Sequence, residues 1–172
     1  MQKQFLLFAV MGILLSSFMS DKAAYRSYDA NGKSKSYQHL LERAAEADVV
    51  LFGELHNNPI CHWLELELTK DLHAIRKQQL ILGAEMFEAD DQIVLNEYLA
   101  GKISEKTFKD ESKQWTNYAT DYKPLVDYAK KNNLPFVACN IPRRYANMVY
   151  NRGIRSLDSL DAQALKWICP IS

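Results

Sequence analysis

The sequence has no excess of charge of either sign. Its 172 residues include 21 lysines and arginines and 21 aspartates and glutamates, so the formal net charge at pH 7 is zero. Proteins that bind nucleic acid carry a basic surface, because contacts with phosphates require lysine and arginine. The charge balance therefore argues against nucleic acid as a partner. With 48% hydrophobic and 24% charged residues, the composition is that of a globular domain with a substantial core.

The sequence also lacks an apolar run long enough for a stable membrane span, which needs about 20 residues. Its longest run, residues 5–15, follows Lys3 and precedes a serine-rich stretch. This arrangement is typical of a secretory signal peptide. We expect residues 1–20 to be a signal peptide and residues 21–172 to be an exported domain of the periplasm or cell envelope. The alternative is that the apolar run remains as a membrane anchor.

Cysteine is scarce. The sequence has three cysteines, and none follows the apolar run where a bacterial lipoprotein would carry its lipid. Three cysteines in an oxidising compartment cannot all pair with one another. Cys61 and Cys139 lie near the ends of predicted strands and are candidates for a disulfide or for ligands. Burial as two small apolar residues is the simpler interpretation.

Three segments have the composition of buried parallel strands, namely residues 48–54, 79–86 and 136–140. Each is an apolar run that ends in polar residues, and continuous apolar runs are expected where both faces of a parallel sheet are covered. The carboxyl ends of such strands lie on one edge, where open α/β sheets bind their ligands.

Turns and helices are predicted between these strands. Asn31-Gly32 indicates a hairpin, and Ser36 and Asn58 followed by Pro59 are typical of helix starts. Further helices are predicted at residues 89–99 and 104–111, from Asp121, and from Pro142. The alternation of strand and helix predicts an α/β fold with a parallel sheet and flanking helices.

Three parallel strands make a thin sheet with exposed edges, which proteins usually cover. A further helical pattern begins after Ser156 and has no closing element before the last residue. We therefore expect a domain truncated at its C-terminus, whose remaining segment would add strands or cover the sheet edge.

Ionisable residues at the predicted strand ends suggest a site. Glu54 and His56 follow the first strand, close enough to serve one metal ion or one proton transfer. Glu85 ends the neighbouring strand, and adjacent strands lie about 4.8 Å apart, so the two carboxylates are expected to converge. The alternative is that both acids only cap helix N-termini. His62, in the first turn of the next helix, is expected to lean toward the same crevice.

Two more residues extend the expected site. Tyr118 belongs to an aromatic group with Trp115 and Tyr122. Core packing is the better interpretation for Tyr122, which lies on the apolar face of its helix, and is as good as a functional one for Trp115. Tyr118 is the freer of the three, and a tyrosinate can ligate ferric haem iron. Arg143, just past the third strand, is able to hold carboxylates such as haem propionates.

With these residues identified, the chain resembles the ChaN-like haem-binding lipoproteins of bacterial iron uptake, which are grouped with the Tiki metalloproteases and the erythromycin esterases. The resemblance rests on four motifs, in residues 50–62, 82–87, 115–122 and 140–144. It covers the chain from about residue 48 onward. It implies an α/β fold, haem bound at the strand ends, a homodimer that shares stacked haems, export, and an outer-membrane haem receptor as partner.

The first hypothesis for function is accordingly a non-enzymatic haem-binding protein of iron uptake. Its cofactor-binding residues would be Glu54, His56, His62, Glu85, Tyr118 and Arg143. The second is a hydrolase of the Tiki or erythromycin-esterase type, in which Glu54, His56 and Glu85 hold a divalent metal ion or activate water directly. A third is a structural envelope protein with a vestigial crevice.

Overall fold

The computed structural model describes residues 23–168, so the predicted signal peptide lies outside the described residues. The chain divides into two units, residues 1–43 and 44–172. In the first, β1 (Ser27–Tyr28) and β2 (Ser34–Lys35) form the antiparallel hairpin predicted from Asn31-Gly32. The Asp29 side chain closes the turn by accepting hydrogen bonds from the backbone of Asn31 and Lys33. Helix α1 (Tyr37–Glu46) follows, and Ser36 caps it as predicted.

The second unit contains the remaining elements. In chain order its helices and strands are α2 (Pro59–Arg76), β3 (Leu82–Glu88), α3 (Gln92–Leu99), α4 (Glu105–Glu111), α5 (Lys123–Asn132), β4 (Phe136–Asn140), α6 (Arg143–Arg152) and α7 (Ala162–Leu165). Short 3-10 turns occur at Lys77–Gln79, Ala89–Asp91 and Ile154–Ser159. None of the helices within residues 23–168 combines the length and apolar character needed to cross a membrane.

Helix α2 begins where the sequence predicts. The Asn58 side chain accepts hydrogen bonds from the backbone N–H groups of Ile60 and Cys61, and Pro59 occupies the first turn, where no donor is needed. Ile60 and Trp63, near the start of the helix, are exposed. The buried residues of the helix are His62, Leu68, Thr69 and Leu72.

Strands β3 and β4 are parallel neighbours, with Leu82 opposite Phe136 and Ala84 opposite Ala138. The register then shifts, so that Glu88 rather than Met86 lies opposite Asn140. Such a bulge adds residues to one strand and redirects its side chains. As a result three consecutive residues, Met86, Phe87 and Glu88, are all buried. The predicted α/β class is confirmed, with helices flanking this parallel pair.

The predicted first strand is not formed. Residues 49–55 adopt neither helix nor strand, and the sheet within the described part of this unit has two strands rather than three. Val49 and Leu51 are 73% and 93% exposed. A cleft of about 900 Å³, lined by Leu68, Leu72, Ile81 and residues 47–53, lies beside this segment. Without a hydrogen-bonded neighbour, an apolar run does not become a strand.

The main core lies between the sheet and helices α3 to α5. Its fully buried side chains include Phe87, Leu95, Phe108 and Val126. The Phe87 ring contacts those of Phe108, Tyr118 and Phe136, with centroids 5.9 to 6.2 Å apart. Aromatic contacts of this kind add stability beyond that of the buried area alone. A second, smaller cluster forms around Tyr145, Leu157 and Ala164.

This difference in burial predicts opposite results for two apolar substitutions. Phe87→Ala should lower the free energy of unfolding by about 3–5 kcal/mol, because it empties a packed site. Leu51→Ala should change it by no more than about 0.5 kcal/mol, because Leu51 is already exposed to solvent. Urea denaturation at pH 7 measures both values. Equal losses for the two variants would contradict the packing described here.

Candidate functional site

A hydrogen-bonded pair, Glu54 and His56, forms the centre of the candidate site. The Nδ1 atom of His56 lies 2.6 Å from Oε1 of Glu54. A carboxylate only accepts hydrogen bonds, so Nδ1 carries the proton and donates it. The Glu54 side chain is 14% exposed, whereas that of His56 is 61% exposed. The pairing leaves the second ring nitrogen of His56, Nε2, without a hydrogen bond among residues 23–168.

Tyr122 donates a hydrogen bond to the same carboxylate oxygen, Oε1 of Glu54, over 2.9 Å. It is the last residue of a π-helical turn, Tyr118–Tyr122, that leads directly into α5. Turns of this type are rare and are found frequently at functional sites. Burial raises the pKa of the Tyr122 phenol, and the hydrogen bond to Glu54 raises it further. The hydroxyl therefore stays protonated and acts as a donor at neutral pH.

His62 is buried beside this pair, in the first turn of α2. Its Nε2 donates to the carbonyl oxygen of His56 over 3.2 Å and lies 3.5 Å from Oε2 of Glu54. Both Nδ1 of His62 and Oε2 of Glu54 are buried without a hydrogen-bond partner. A buried polar atom left unpaired costs about 1–3 kcal/mol. A hydrogen-bond partner for either atom would therefore be stabilising.

Asn117 and Trp115 hold the His56 residue in place. The Asn117 Nδ2 atom donates to the carbonyl oxygen of His56 over 2.5 Å and to Oδ2 of Asp121 over 2.8 Å. Asp121 was predicted to cap a helix and instead fixes Asn117. The Trp115 ring meets the His56 ring edge to face, with centroids 4.7 Å apart. Sequence reasoning missed Asn117, because an asparagine in a loop has no distinguishing pattern.

Tyr118 does not reach this group. It is 6% exposed and packs in the main core against Phe87 and Phe108. Its hydroxyl is buried without a partner, and burial raises the pKa of the phenol. The prediction that Tyr118 is the freest of the three aromatic residues is wrong. The expected core packing of Tyr122 is confirmed, although its hydroxyl also donates a hydrogen bond to Glu54.

Glu85 lies in the middle of β3 rather than at its end, and it is exposed. Its side chain forms no hydrogen bond or ion pair among residues 23–168. The strand continues to Glu88, whose buried carboxylate accepts hydrogen bonds from Nζ of Lys113 over 2.8 Å and from the backbone N–H of Arg143 over 3.0 Å. The sequence predicts that this strand ends at residue 86, whereas β3 ends at Glu88. The bulge in β3, which the sequence pattern does not reveal, explains the difference.

The two arginines that follow β4 have different surroundings. Arg144 pairs with Asp90, and its guanidinium lies 4.5 Å from the ring centre of Tyr145 and 5.3 Å from that of Trp167. Burial of Asp90 opposes its ionisation, but pairing with Arg144 lowers the pKa of its carboxyl. Arg143 is exposed at the first position of α6, and its side chain forms no ion pair within residues 23–168. Its guanidinium therefore remains available to bind an anion.

The two candidate cysteines are both free. Cys61 is half-buried and Cys139 is exposed, so the interpretation of both as buried apolar residues is wrong for Cys139. Within the described part of the chain, no group of three or more histidine, cysteine, aspartate or glutamate residues is arranged to hold a metal ion.

Glu65 connects the site to the cleft, which it lines. Its Oε2 atom lies 4.0 Å from Nδ1 of His62. Burial raises the pKa of the Glu65 carboxyl above its usual value of 4.5, attraction by His62 opposes this shift, and repulsion by Glu54 adds to it. The net upward shift means that ionised Glu65 is less stable in the folded chain than in water.

Comparison with known proteins identifies one family. A family model described as haem-binding uptake, Tiki superfamily, ChaN, matches residues 40–172. Protein RETICULATA-RELATED 5, chloroplastic, of Arabidopsis thaliana is 30% identical over 146 residues, which is 77% of this chain and 20% of that protein.

A solved structure is similar in fold. It is titled cofacial heme binding to ChaN of Campylobacter jejuni, and it matches with a TM-score of 0.55 at 17% identity. The match covers 71% of this chain and 50% of the solved chain. This chain therefore spans about half of the solved relative and about a fifth of the plant relative.

The raised pKa of Glu65 predicts a pH-dependent effect of Glu65→Gln. A carboxyl whose pKa is higher in the folded state stabilises the fold below pH 4.5, and this contribution is lost as pH rises through the folded pKa. The variant should therefore match the parent near pH 4 and be more stable than it at pH 7. Urea denaturation at both values measures the difference.

Glu67→Gln on the same helix is the matched control. Glu67 pairs with Lys70 and is more exposed than Glu65. Its variant should not gain stability relative to the parent as pH rises. A parallel gain in the two variants would show that burial of Glu65 is not the cause.

Proposed function

The chain belongs to the family described as haem-binding uptake, Tiki superfamily, ChaN, and on this premise we propose that it binds haem with His56 as the iron ligand. The proposal concerns this chain's own residues, because the known relatives are only partly spanned by it. Haem, when bound, would supply an iron centre that His56 could hold through a ring nitrogen.

The observation that carries this proposal is the hydrogen bond that fixes the His56 tautomer. Nδ1 donates its proton to Glu54, with 2.6 Å between the heavy atoms, so the lone pair is on Nε2, which forms no hydrogen bond among residues 23–168. Histidines that ligate metals almost always donate their other ring N–H to a carboxylate or carbonyl, which fixes the tautomer and raises the basicity of the ligand. His56 is therefore prepared for an iron centre before any ligand arrives.

His56 is a better ligand than Tyr118 for two physical reasons. The Tyr118 hydroxyl is buried within the core, so it would have to leave its packing against Phe87 to reach an iron atom. Burial also raises the pKa of the Tyr118 phenol, which disfavours the tyrosinate that ferric iron prefers. Neither cost applies to His56, because its side chain is mostly exposed.

Other residues would orient the haem rather than ligate its iron. Trp115 limits rotation of the His56 ring through their edge-to-face contact. Arg143 carries a free guanidinium at the end of β4, and a planar guanidinium fits a propionate carboxylate. Glu54 holds the ring of His56 by accepting a hydrogen bond from Nδ1, and His62 holds its backbone by donating to the carbonyl oxygen. Glu85 is given no part in this proposal, because it is exposed within β3 and its side chain forms no hydrogen bond or ion pair among residues 23–168.

A second candidate function is hydrolysis. It is favoured by Oε2 of Glu54, a buried carboxylate oxygen without a hydrogen-bond partner beside His62. A carboxylate in this position is able to accept a proton from a water molecule, with His62 or His56 as the second proton-transfer group. A hydrolase would use the same residues without haem, so haemin-binding experiments distinguish hydrolysis from haem binding.

We also propose export to the cell envelope, with haem received from an outer-membrane receptor and a haem-linked homodimer. The signal-like N-terminal sequence and the family membership support export. The plant relative is named as chloroplastic, which differs from the cell envelope proposed for this chain. The compartment of this chain therefore has to be measured. Fractionation of the source cells should place the protein in the envelope, and analytical ultracentrifugation should show a doubled mass only with haem. Recovery within an organelle, or a monomer with haem bound, would overturn these statements.

Haemin titration tests the choice of ligand. The parent chain and Tyr118→Phe should both develop the absorption band of bound haem, whereas His56→Ala should lose it, with affinity falling at least about tenfold, or about 1.4 kcal/mol. Arg143→Ala should weaken binding without changing the position of the band, because it removes a contact with the propionates rather than the ligand.

His73→Ala is the matched control for His56→Ala. His73 also makes a hydrogen bond through Nδ1, to the Tyr128 hydroxyl at 2.8 Å, but it lies on α2 away from the site. Its variant should bind haemin like the parent. Loss of the band in Tyr118→Phe but not in His56→Ala would assign the ligand to Tyr118. No binding by the parent chain, together with ester hydrolysis that depends on Glu54, would support the hydrolase.

A further inference from the structure

One face of α2 forms a wall of the cleft beside residues 47–53. Five residues of this helix line the cleft, namely Glu65, Leu68, Thr69, Leu72 and Arg76. Residues three and four positions apart lie above one another on a helix, so the five form a single row. From Glu65 to Arg76 the row spans eleven positions, which is about 16 Å at 1.5 Å per residue. The cleft therefore follows the length of α2.

Apolar side chains make up most of the lining. Leu51, Ile81 and Val137 line the cleft, and each is exposed to solvent although it is apolar. Sites for small molecules typically have volumes of about 300–1,000 Å³ and are lined by apolar side chains with a few polar groups. This cleft, at about 900 Å³, has both properties. A molecule with an apolar body would be stabilised there, because it removes these side chains from water.

The charged residues of the lining are Asp48, Glu65 and Arg76. Arg76 is half-buried at the end of α2, and its guanidinium forms no ion pair among residues 23–168. Glu65 lies at the other end of the row. Asp48 is exposed and does not pair with Arg76. An anionic group is attracted by Arg76 and repelled by ionised Glu65, so the lining favours one orientation for an elongated anion.

We propose that this cleft binds a long-chain fatty acid, with the carboxylate at Arg76 and the apolar chain along Leu72 and Leu68. A guanidinium suits a carboxylate because it donates two parallel hydrogen bonds to it. An extended chain suits the row because its apolar residues follow one another along the helix axis. The inference is independent of the proposed function, because His56 is not among the residues that line the cleft.

Calorimetric titration of the full chain with dodecanoate, below the concentration at which it forms micelles, tests the proposal. The parent should bind dodecanoate, and Arg76→Gln should bind it about tenfold more weakly, because a charge-assisted hydrogen bond is lost. Dodecyltrimethylammonium has an apolar chain of the same length and the opposite charge. It should bind the parent at least about tenfold more weakly than dodecanoate does. Equal affinities for the two probes, or no binding of dodecanoate, would overturn the proposal.

Arg152→Gln is the matched control for the charge. Arg152 is the last residue of α6, as Arg76 is of α2, but it is exposed and does not line the cleft. Its variant should bind dodecanoate like the parent. Equal losses in Arg76→Gln and Arg152→Gln would show that the net charge of the chain, rather than the cleft, determines the affinity.

A second pair of variants tests the apolar lining. Ile81 is 63% exposed and lines the cleft, whereas Ile93 is 66% exposed on α3 and does not line it. Because both side chains are largely exposed, Ile81→Asn and Ile93→Asn should fold like the parent. Ile81→Asn should weaken dodecanoate binding by about fivefold, because less apolar surface is covered. An unchanged affinity in Ile81→Asn, or an equal loss in Ile93→Asn, would show that the chain of the fatty acid lies elsewhere.

Cys139 reports the position of the bound molecule. Its free thiol is exposed and lines the cleft, whereas Cys61 is also free but does not line it. Alkylation of the parent with iodoacetamide, followed by peptide mass mapping, measures the reaction rate at each cysteine. Dodecanoate should slow the reaction of Cys139 at least about threefold by covering the thiol, and should leave that of Cys61 unchanged. An unchanged rate at Cys139 would overturn the proposal even if dodecanoate binds.

Haemin distinguishes this site from the one proposed at His56. Dodecanoate should bind to the haemin-loaded parent with the affinity measured without haemin. If the parent binds dodecanoate through Arg76 but does not bind haemin, the proposed function is wrong and this inference stands. Displacement of dodecanoate by haemin, together with weaker haemin binding in Arg76→Gln, would assign the cleft to haem. A dimer that forms without either ligand and protects Cys139 would assign the cleft to a second copy of the chain. Either result would overturn the inference.

Discussion

The carboxylate of Glu54 is the point at which three separate parts of the chain meet. His56 lies two residues further on in an irregular segment, His62 is in the first turn of α2, and Tyr122 is 68 positions away before α5. Hydrogen bonds to a charged group contribute about 1.5–3 kcal/mol each. Glu54 is mostly buried and accepts hydrogen bonds from His56 and Tyr122, so both donors depend on it for their orientation. His62 lies 3.5 Å from the other oxygen of the carboxylate without a hydrogen bond to it. Removing the carboxylate would therefore loosen the loop and the π-helical turn together.

Local sequence patterns predicted the elements whose causes are local. Ser36 and Asn58 cap helices as expected, Asn31-Gly32 forms the hairpin turn, and β4 occupies the predicted residues. In each case the decisive hydrogen bonds join residues close in the chain, so composition and spacing contain the necessary information. The pairing of Glu54 with His56 belongs to the same class, since only two residues separate them.

Features that depend on distant contacts were not predictable in this way. The apolar run at residues 49–52 has the composition of a strand but lacks a hydrogen-bonded neighbour among the described residues. The bulge in β3 moved the end of the strand from the region of Glu85 to Glu88, and the π-helical turn exchanged the expected roles of Tyr118 and Tyr122. Bulges and π-turns insert residues into a regular period, and a pattern based on that period then assigns the wrong side chain to the site.

His56 follows a segment that has no regular secondary structure, so the position of the proposed ligand is held by side chains rather than by a sheet. Asn117 and His62 both donate to its carbonyl oxygen. Segments with exposed backbone open readily, and their amides exchange with solvent at low free-energy cost. Residues 49–53 lead directly into His56, so if a ligand binds His56 as proposed, it should also slow amide exchange in this segment.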